Sequence, residues 1–348
     1  MPVNKPNLTE IKSHSVTNCL LCSSSGTILF KDLTDRLYQS PGKWNLRKCN
    51  NSTCNLIWLD PRPDIDEVWK VYNNYYTHSD NNSSLIYRIQ QWIESGYLCI
   101  AYGYKQNITF AQKLIGLLVY FLPTEKVEYD FNVFELKKSE KGKLLDVGCG
   151  NGGFISSLKK KGWDVEGIDS DNKAVNFCIN NGLDVKLGDL NSQNYADNTF
   201  DFVTLSHVIE HVYNPVELLN EIYRILKPGG QIILATPNSK SWMFNKKFKS
   251  KWFALQSPGH VQIFDRNNLG KLLSTCGFSV KPNKTSARNE FYVYVGSRSI
   301  KERGYFAMGV EKPNKLHLII GKFFQLNTWF RLHFNKDAGG ELFIKAEK

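Results

Sequence analysis

Four groups of residues in this chain have types and spacings that suit chemistry. Cys19 and Cys22 form one pair, and Cys49 and Cys54 a second. A hairpin that joins them offers four thiolates to one tetrahedral Zn²⁺, which fills every position and makes the ion structural. Arg47 and Lys48 beside Cys49 favour thiolates. The competing readings are four unrelated thiols or a cysteine pair that cross-links. The second group is the run Gly148-Cys149-Gly150-Asn151-Gly152-Gly153. Its glycines let the chain turn at positive φ and bring bare backbone N–H groups to a ligand at a helix start. The third is a set of carboxylates, Asp146, Asp169 and Asp189, which accept hydrogen bonds from hydroxyl and amino groups. The fourth is His207, Glu210, His211 and His260, the types that serve as general bases and their orienting partners.

The elements that must position these groups read as follows. Residues 143–147 are a strand and 153–161 a helix. Residues 165–168 are a strand ending in Asp169, 172–180 a helix, and 185–187 a strand before Gly188-Asp189. Residues 202–205 are a strand running into Ser206-His207, and 215–226 a helix stopped by Lys227-Pro228-Gly229-Gly230. Residues 231–235 are a strand, 267–276 a helix, 278–281 a strand, and 342–346 a closing strand. This alternation is that of an α/β domain. Asp169, Asp189 and Ser206 then all sit at strand ends, where open α/β sheets bind ligands.

The flanking segments are less regular. TILFKD and WNLRKC between the cysteine pairs read as short strands. Asp64 is expected to cap a helix, with Glu67 three residues on and Ile65, Val68, Trp69 and Tyr72 on one face. Residues 80–84 are a polar break. Residues 85–138 read as mostly helical. One stretch, Phe110, Leu114, Leu117, Leu118 and Phe121, is apolar on nearly every side and is expected to pack as a lid, with an interfacial membrane helix as the second reading. Residues 312–335 are aromatic, basic and amphipathic, and are expected to form a packed cover over the site, with membrane contact second. The domain reading is a zinc-ribbon region at 1–62, a helical linker or lid at 63–138, and a catalytic domain at 139–348 with a helical insertion near 287–338.

The formal net charge is +11. That favours an acidic partner such as nucleic acid, an anionic membrane surface or a phosphorylated substrate, although scattered solvated lysines give the same total. The first residues show no apolar signal segment, and the longest apolar run, 114–122, is too short to span a bilayer. The expected location is cytoplasmic, with a peripheral position at the inner membrane surface as the alternative.

Taken in order, the motifs carry a family resemblance. Leu145-Asp146-Val147-Gly148-Cys149-Gly150-Asn151-Gly152 resembles the first motif of class I S-adenosylmethionine-dependent methyltransferases. Gly167-Ile168-Asp169-Ser170 stands where their second motif ends, and Gly188-Asp189-Leu190 resembles the adenine-site motif. Phe200-Asp201-Phe202-Val203 with His207-Val208-Ile209-Glu210-His211 resembles the fourth-strand motif. Leu226–Gly230 with Ala235-Thr236-Pro237-Asn238 resembles the segment that follows. The resemblance implies a Rossmann-like seven-stranded sheet with its last strand antiparallel and helices on both faces. It also implies S-adenosylmethionine as cofactor. Asp146 and the loop residues Gly148, Gly150, Asn151 and Gly152 would hold its methionine half, and Asp169 with Ser170 its ribose. Asp189 would take the adenine amine, Leu190 would cover the ring, and Ser206 and His207 would lie beside it. A nicotinamide-dinucleotide enzyme is the alternative for the glycine run, but the glycine spacing and the later motifs fit it less well. The cysteine ribbon, D-P-R-P and Y-Y-T-H resemble an arrangement found before the methyltransferase domain in bacterial enzymes of surface-polysaccharide or sugar modification.

The expected reaction is O-methylation of a sugar or a lipid- or nucleotide-linked sugar conjugate. His260 or His207 is the expected base, supported by Glu210 and His211. His207 and His211 are one helical turn apart, so they are expected to share a face with Glu210 between them, as a base and its carboxylate or as a metal site. His260 is expected on a loop facing the acceptor. Trp252, Phe253 and Phe264 are expected to stack on a sugar ring, and Lys246, Lys247, Lys249 and Lys251 to meet a diphosphate. Two rival functions are an rRNA or tRNA methyltransferase whose ribbon binds nucleic acid, and a non-catalytic scaffold. No N-P-P-Y-type base-methylating motif follows the fourth strand, where the residues are Leu205-Ser206-His207, and this weighs against nucleic acid.

Overall fold

The computed structural model describes residues 10–72, 85–105, 107–140, 142–307 and 314–348. The N-terminal hairpin is made of β1 (Gly26–Leu33) and β2 (Trp44–Cys49), followed by β3 (Ile57–Leu59), all antiparallel. The strands predicted in TILFKD and WNLRKC are therefore present. Arg47 and the buried Asp60 form an ion pair between β2 and the turn after β3. Asp60 Oδ1 also accepts from the Val16 N–H at 2.7 Å.

The helix expected from Asp64 shrinks to a 3-10 turn and the one-turn α1 (Val68–Val71). Asp64 does not cap it, because its Oδ1 lies 2.6 Å from His14 Nδ1. Glu67 accepts from the Lys12 N–H at 3.2 Å instead of reaching back to the turn. Both carboxylates are thus drawn to the N-terminal segment. The polar break and Tyr75-Tyr76-Thr77-His78 lie outside the described residues.

Three helices follow: α2 (Leu85–Tyr102), α3 (Phe110–Leu118) and α4 (Pro123–Phe131). Thr109 caps α3 in a reciprocal box with Gln112. The backbones of α2 and α3 approach through two glycines. A Cβ on Gly96 would stand 2.0 Å from the Gln112 carbonyl oxygen, and one on Gly116 would stand 2.4 Å from the Tyr97 nitrogen. The expected packed lid is not observed. The small residues fill the contact between the helices, and Phe110, Leu114, Leu117, Leu118 and Phe121 point outward, exposed.

The central sheet uses β4 (Lys143–Val147), β5 (Asp164–Asp169), β6 (Val185–Leu187), β7 (Phe200–Ser206) and β8 (Leu226–Pro237), all parallel. Helices α5 (Gly153–Lys160), α6 (Asn172–Asn180) and α7 (Pro215–Ile225) connect them. Lys227–Gly230 is not the stop expected for α7: the helix ends at Ile225, the strand begins at Leu226, and the segment is a register shift inside β8. Then come β9 (Gln262–Ile263), α8 (Arg266–Thr275), β10 (Ser279–Val280), β11 (Lys284–Ser286), α9 (Glu290–Arg303), α10 (Lys315–Leu332) and β12 (Glu341–Glu347). The sheet order is β10-β12-β8-β7-β4-β5-β6, with β11 also on β12. β12 is antiparallel to β8. Seven positions were expected, and eight strands fill them because the sixth position is split at Lys281-Pro282-Asn283, where proline removes a ladder donor. Apolar residues on the two faces of the sheet form two cores, one around Leu145, Val203, Leu205 and Ile232, the other around Leu144, Phe202 and Ile233.

β9 leaves this sheet and pairs with β3, so the ribbon sheet has the order β9-β3-β2-β1. The Leu59 N–H also donates to the Val261 carbonyl at 3.0 Å. The ribbon is thereby joined to the segment that carries His260.

Candidate active site and cysteine centre

β4 ends where its backbone must turn. Gly148, Gly150 and Gly152 have φ of 72°, 54° and 73°, in the left-handed region. Packing adds a second requirement at two of them: a Cβ at Gly148 would lie 2.5 Å from Val208 Cγ2, and one at Gly152 2.5 Å from Leu183 Cδ1. At Gly150 a Cβ would meet nothing within 4 Å, so the loop is open there. The loop is fastened to the tip of β5: the Gly150 N–H donates to Asp169 Oδ2 at 2.7 Å, and the Gly148 N–H to the Ile168 carbonyl at 2.8 Å. Asn151 Oδ1 accepts from the Gly153 N–H at 3.2 Å, where α5 begins. Asp146 is buried beneath the loop and accepts from Thr204 Oγ1 at 2.7 Å. Burial pushes its carboxyl up to about 7. Asp169 also accepts from the Asp171 N–H at 2.8 Å, and Ser170 beside it is exposed.

Asp189 is exposed after β6 and accepts from the Ser192 N–H at 2.8 Å. Leu190 does not cover a ligand ring. It is buried in the sheet core with Tyr195 and Phe200, because the chain turns inward into a 3-10 turn at that point.

The end of β7 carries a charged array. His207 adopts φ 56°, which breaks the helical run expected through His211. Its Nδ1 is 3.1 Å from Glu210 Oε1, and its Nε2 is 2.9 Å from Glu341 Oε1. Carboxylates only accept, so both ring nitrogens carry protons and His207 is an imidazolium. Burial opposes that charge, but the two carboxylates outweigh it and raise the group to about 9. Glu210 is fully buried, and Thr236 Oγ1 donates to its Oε2 at 2.9 Å. Burial opposes its charge as well, and His207 holds it down at about 2. Arg288 Nη1 donates to Glu341 Oε1 at 2.7 Å.

His211 and His260 form a second group below this array, with ring centroids 4.6 Å apart. His211 Nδ1 lies 2.9 Å from the Gly259 carbonyl oxygen and 2.7 Å from Tyr72 Oη. His260 is 3% exposed, so it does not face an acceptor from an open loop as expected. The reason is β9: pairing with the ribbon pulls residues 257–261 inward. His260 Nδ1 donates to the Ala254 carbonyl at 2.9 Å, which leaves the lone pair on Nε2, 4.0 Å from Glu210 Oε1. Burial, with His211 alongside, pushes His260 down to about 3. Glu210, His211 and His260 offer ligand atoms all within 4.8 Å of one another. The set close enough to share one ion therefore contains His260 in place of His207.

In the ribbon, Cys19 Sγ and Cys54 Sγ are 3.6 Å apart, and Cys22 Sγ and Cys49 Sγ 3.4 Å. All four sulfurs lie within 4.8 Å, and none is in a disulfide. A tetrahedron with metal–sulfur bonds of about 2.3 Å has edges of about 3.8 Å, so the donor set fits such an ion. Burial opposes ionisation of Cys22, yet bonds from Ser24 and the neighbouring thiols bring it to about 6. Burial pushes Cys54 up to about 11 and raises Cys19 as well.

Several expected ligand contacts are used internally instead. Trp252 is buried and stacks on Phe244 with centroids 4.9 Å apart, and Phe264 is fully buried. Phe253 packs edge-on against Tyr292 and Phe306. Lys247 lies 3.9 Å above the Phe324 ring, so the cationic run is partly spent on packing. The residues missed from sequence are Tyr72, Thr204, Thr236, Arg288, Glu290 and Glu341. Glu341 had a usable signal, since it opens the closing strand β12, where it pairs with Pro237 at the ligand end of β8. Glu290 is fully buried, and burial pushes its carboxyl well above the usual range.

Residues 124–282 match a family model described as a methyltransferase domain. Among curated proteins, the chain is 33% identical over 103 residues to the ubiquinone biosynthesis O-methyltransferase of Pseudomonas entomophila, covering 28% of this chain and 44% of that protein. It is 31% identical over 111 residues to that of Aliivibrio fischeri, covering 29% and 47%. The chain spans about half the length of the curated relatives it matches. A solved S-adenosylmethionine-dependent methyltransferase from Archaeoglobus fulgidus aligns with 68% of this chain and 94% of its own, at 21% identity and a TM-score of 0.42. One from Mesorhizobium loti aligns with 64% and 98%, at 16% identity and a TM-score of 0.44. With its strand order, glycine loop and antiparallel last strand, the chain carries a methyltransferase domain on the class I S-adenosylmethionine-dependent fold.

Proposed function

We propose that this chain is an S-adenosylmethionine-dependent O-methyltransferase acting on a hydroxyl of a sugar or sugar conjugate. The observation that carries this reading is the row formed at the carboxyl ends of β4, β5 and β7 by the open glycine loop, Asp169 and the His207 array. Asp146, Gly148, Gly150, Asn151 and Gly152 take the methionine half of the cofactor. Asp169 and Ser170 take the ribose, and Asp189 the adenine amine. Ser206 and His207 face the reacting end. The cofactor supplies an electrophilic methyl group, and the protein positions an oxygen in line with it.

Neither histidine first considered suits the base. His207 already carries both protons, and the lone pair of His260 faces Glu210. We assign the acceptor's proton to Glu341, whose Oε2 is buried without a partner. His207 and Arg288 fix its other oxygen, and Glu210, His211 and His260 position His207 from behind. Glu341 Oε2 and Gln325 Oε1 are buried acceptors lacking donors. A polyhydroxylated ligand supplies donors, which is the support for a sugar. The second reading, favoured by the curated relatives, is an acceptor of ubiquinone biosynthesis. In the ribbon, Cys19, Cys22, Cys49 and Cys54 hold a structural Zn²⁺.

The test is transfer of a labelled methyl group to nucleotide-linked and lipid-linked sugars, ubiquinone precursors, and bulk rRNA and tRNA. Incorporation into the sugars, falling about 10²-fold in Glu341→Gln, is expected. Labelling only of RNA, or of quinone precursors, overturns the sugar assignment. No labelling together with no cofactor affinity favours a scaffold.

A further inference from the structure

Helices α2, α3 and α10 are built in the reverse of the usual surface pattern. Their closest protein contacts are made by small residues, while many large apolar residues face out, on α2 and α10 opposite inward ones such as the buried Leu98 and the half-buried Phe324. Gly96 and Gly116 make the α2–α3 contact, and on α10 a Cβ at Gly321 would lie 2.6 Å from the Phe291 carbonyl oxygen of α9. Outward stand Phe110 (76% exposed), Leu118 (57%) and Phe121 (82%) on α3 and the turn after it, and Ile319 (69%) and Phe323 (64%) on α10. Lys322 of α10 donates to Glu125 of α4 at 3.0 Å, which brings α10 beside the Phe121–Leu122 tip. Isolated exposed apolar residues need no explanation, but a shared face of this kind does.

The charges on these segments are mostly cationic. Residues 85–122 contain Arg88, Lys105 and Lys113 and one acid, Glu94, which is turned toward Asn132. Residues 315–332 contain Lys315, Lys322 and Arg331 and no acid. A second copy of the chain is a poor occupant. A two-fold contact would set this face against itself and bring cations toward cations, with Glu125 already paired to Lys322. No described helix is long and apolar enough to cross a membrane. We infer that the α2–α3 hairpin, its Phe121 tip and the outer face of α10 dock on an anionic lipid bilayer. The large apolar side chains enter the headgroup boundary, and the cations meet lipid phosphates.

The test is flotation of the full chain with phosphatidylcholine vesicles, with and without about one third phosphatidylglycerol. The wild-type protein is expected to float with the anionic vesicles, more weakly as salt rises. The exposed double variant Leu118→Glu/Phe121→Glu is expected to lose about tenfold in partitioning at an unchanged melting temperature. Lys113→Glu is expected to lose only the preference for anionic lipid. A wild-type chain that stays in solution with both vesicle types overturns the inference. So does a double variant that floats equally well. Light scattering that shows a dimer dissociated by the double variant, without vesicle binding, also overturns it. None of these readouts depends on methyl transfer or on cofactor affinity.

Discussion

Replacing Glu210 by Gln tests the central electrostatic arrangement, because it removes one charge and keeps the shape, with the Thr236 hydroxyl left to turn and accept from the amide. Glu210 is fully buried against the His207 imidazolium and Thr236. Its carboxyl is held at about 2 instead of 4.5. At about 1.36 kcal/mol per pH unit, this corresponds to roughly 3 kcal/mol of stability. The contribution needs Glu210 ionised, so it is complete above pH 4.5 and is lost as pH falls through about 2. It also needs His207 protonated, so it fades as pH rises through about 9. Glu210→Gln should therefore melt about 4 °C below wild type near pH 6, on a per-residue unfolding entropy of about 2.1 cal/mol/K. The gap should narrow toward pH 2 and above pH 9. The His207 midpoint in an NMR titration should move from about 9 toward 6.5. Equal melting at pH 6 together with an unmoved His207 midpoint would refute the reasoning.

Further outcomes follow from other parts of the molecule. Gly152→Ala forces a Cβ into a left-handed position against Leu183 and Cys178, and should lower stability by about 1–2 kcal/mol or more by thermal melting. Asp146→Asn should have two opposed effects. The native carboxyl is raised from 3.8 to about 7, so ionising it costs stability as pH rises through that window, and the variant should be more stable at pH 8, by up to about 4 kcal/mol. The same variant should bind S-adenosylmethionine more weakly by calorimetry. Elemental analysis should find about one zinc per chain, lost in Cys54→Ser with a lower melting temperature; a metal-free protein of unchanged stability would remove the ion from the account.

The parts read best from sequence were those whose signal is local. The glycine run, Asp146 and Asp169 lie within one strand–turn–helix–strand unit, so their spacing alone brings them together. The four cysteines are similar, because one hairpin suffices to join them. The histidines were harder. His207, Glu210 and His211 looked like one helical face until a left-handed backbone at His207 divided them. The sequence around His260 reads as a loop facing the acceptor because its burial depends on β9 pairing with β3, some two hundred residues away, which no local pattern reports. Trp252 and Phe264 carried the right chemistry for a sugar platform, yet the ribbon and the helices after 287 needed them for packing. Apolar periodicity identified α3 but predicted the wrong surroundings: it reports that a face avoids water, not whether protein covers it.

The account rests on cofactor capture by the glycine loop and Asp169. Titration of the purified chain with S-adenosylmethionine in a calorimeter tests this directly. Saturable binding of one cofactor per chain is predicted, weakened about tenfold or more by Asp169→Ala. Absence of measurable affinity in the wild-type chain, or affinity indifferent to Asp169, would contradict it.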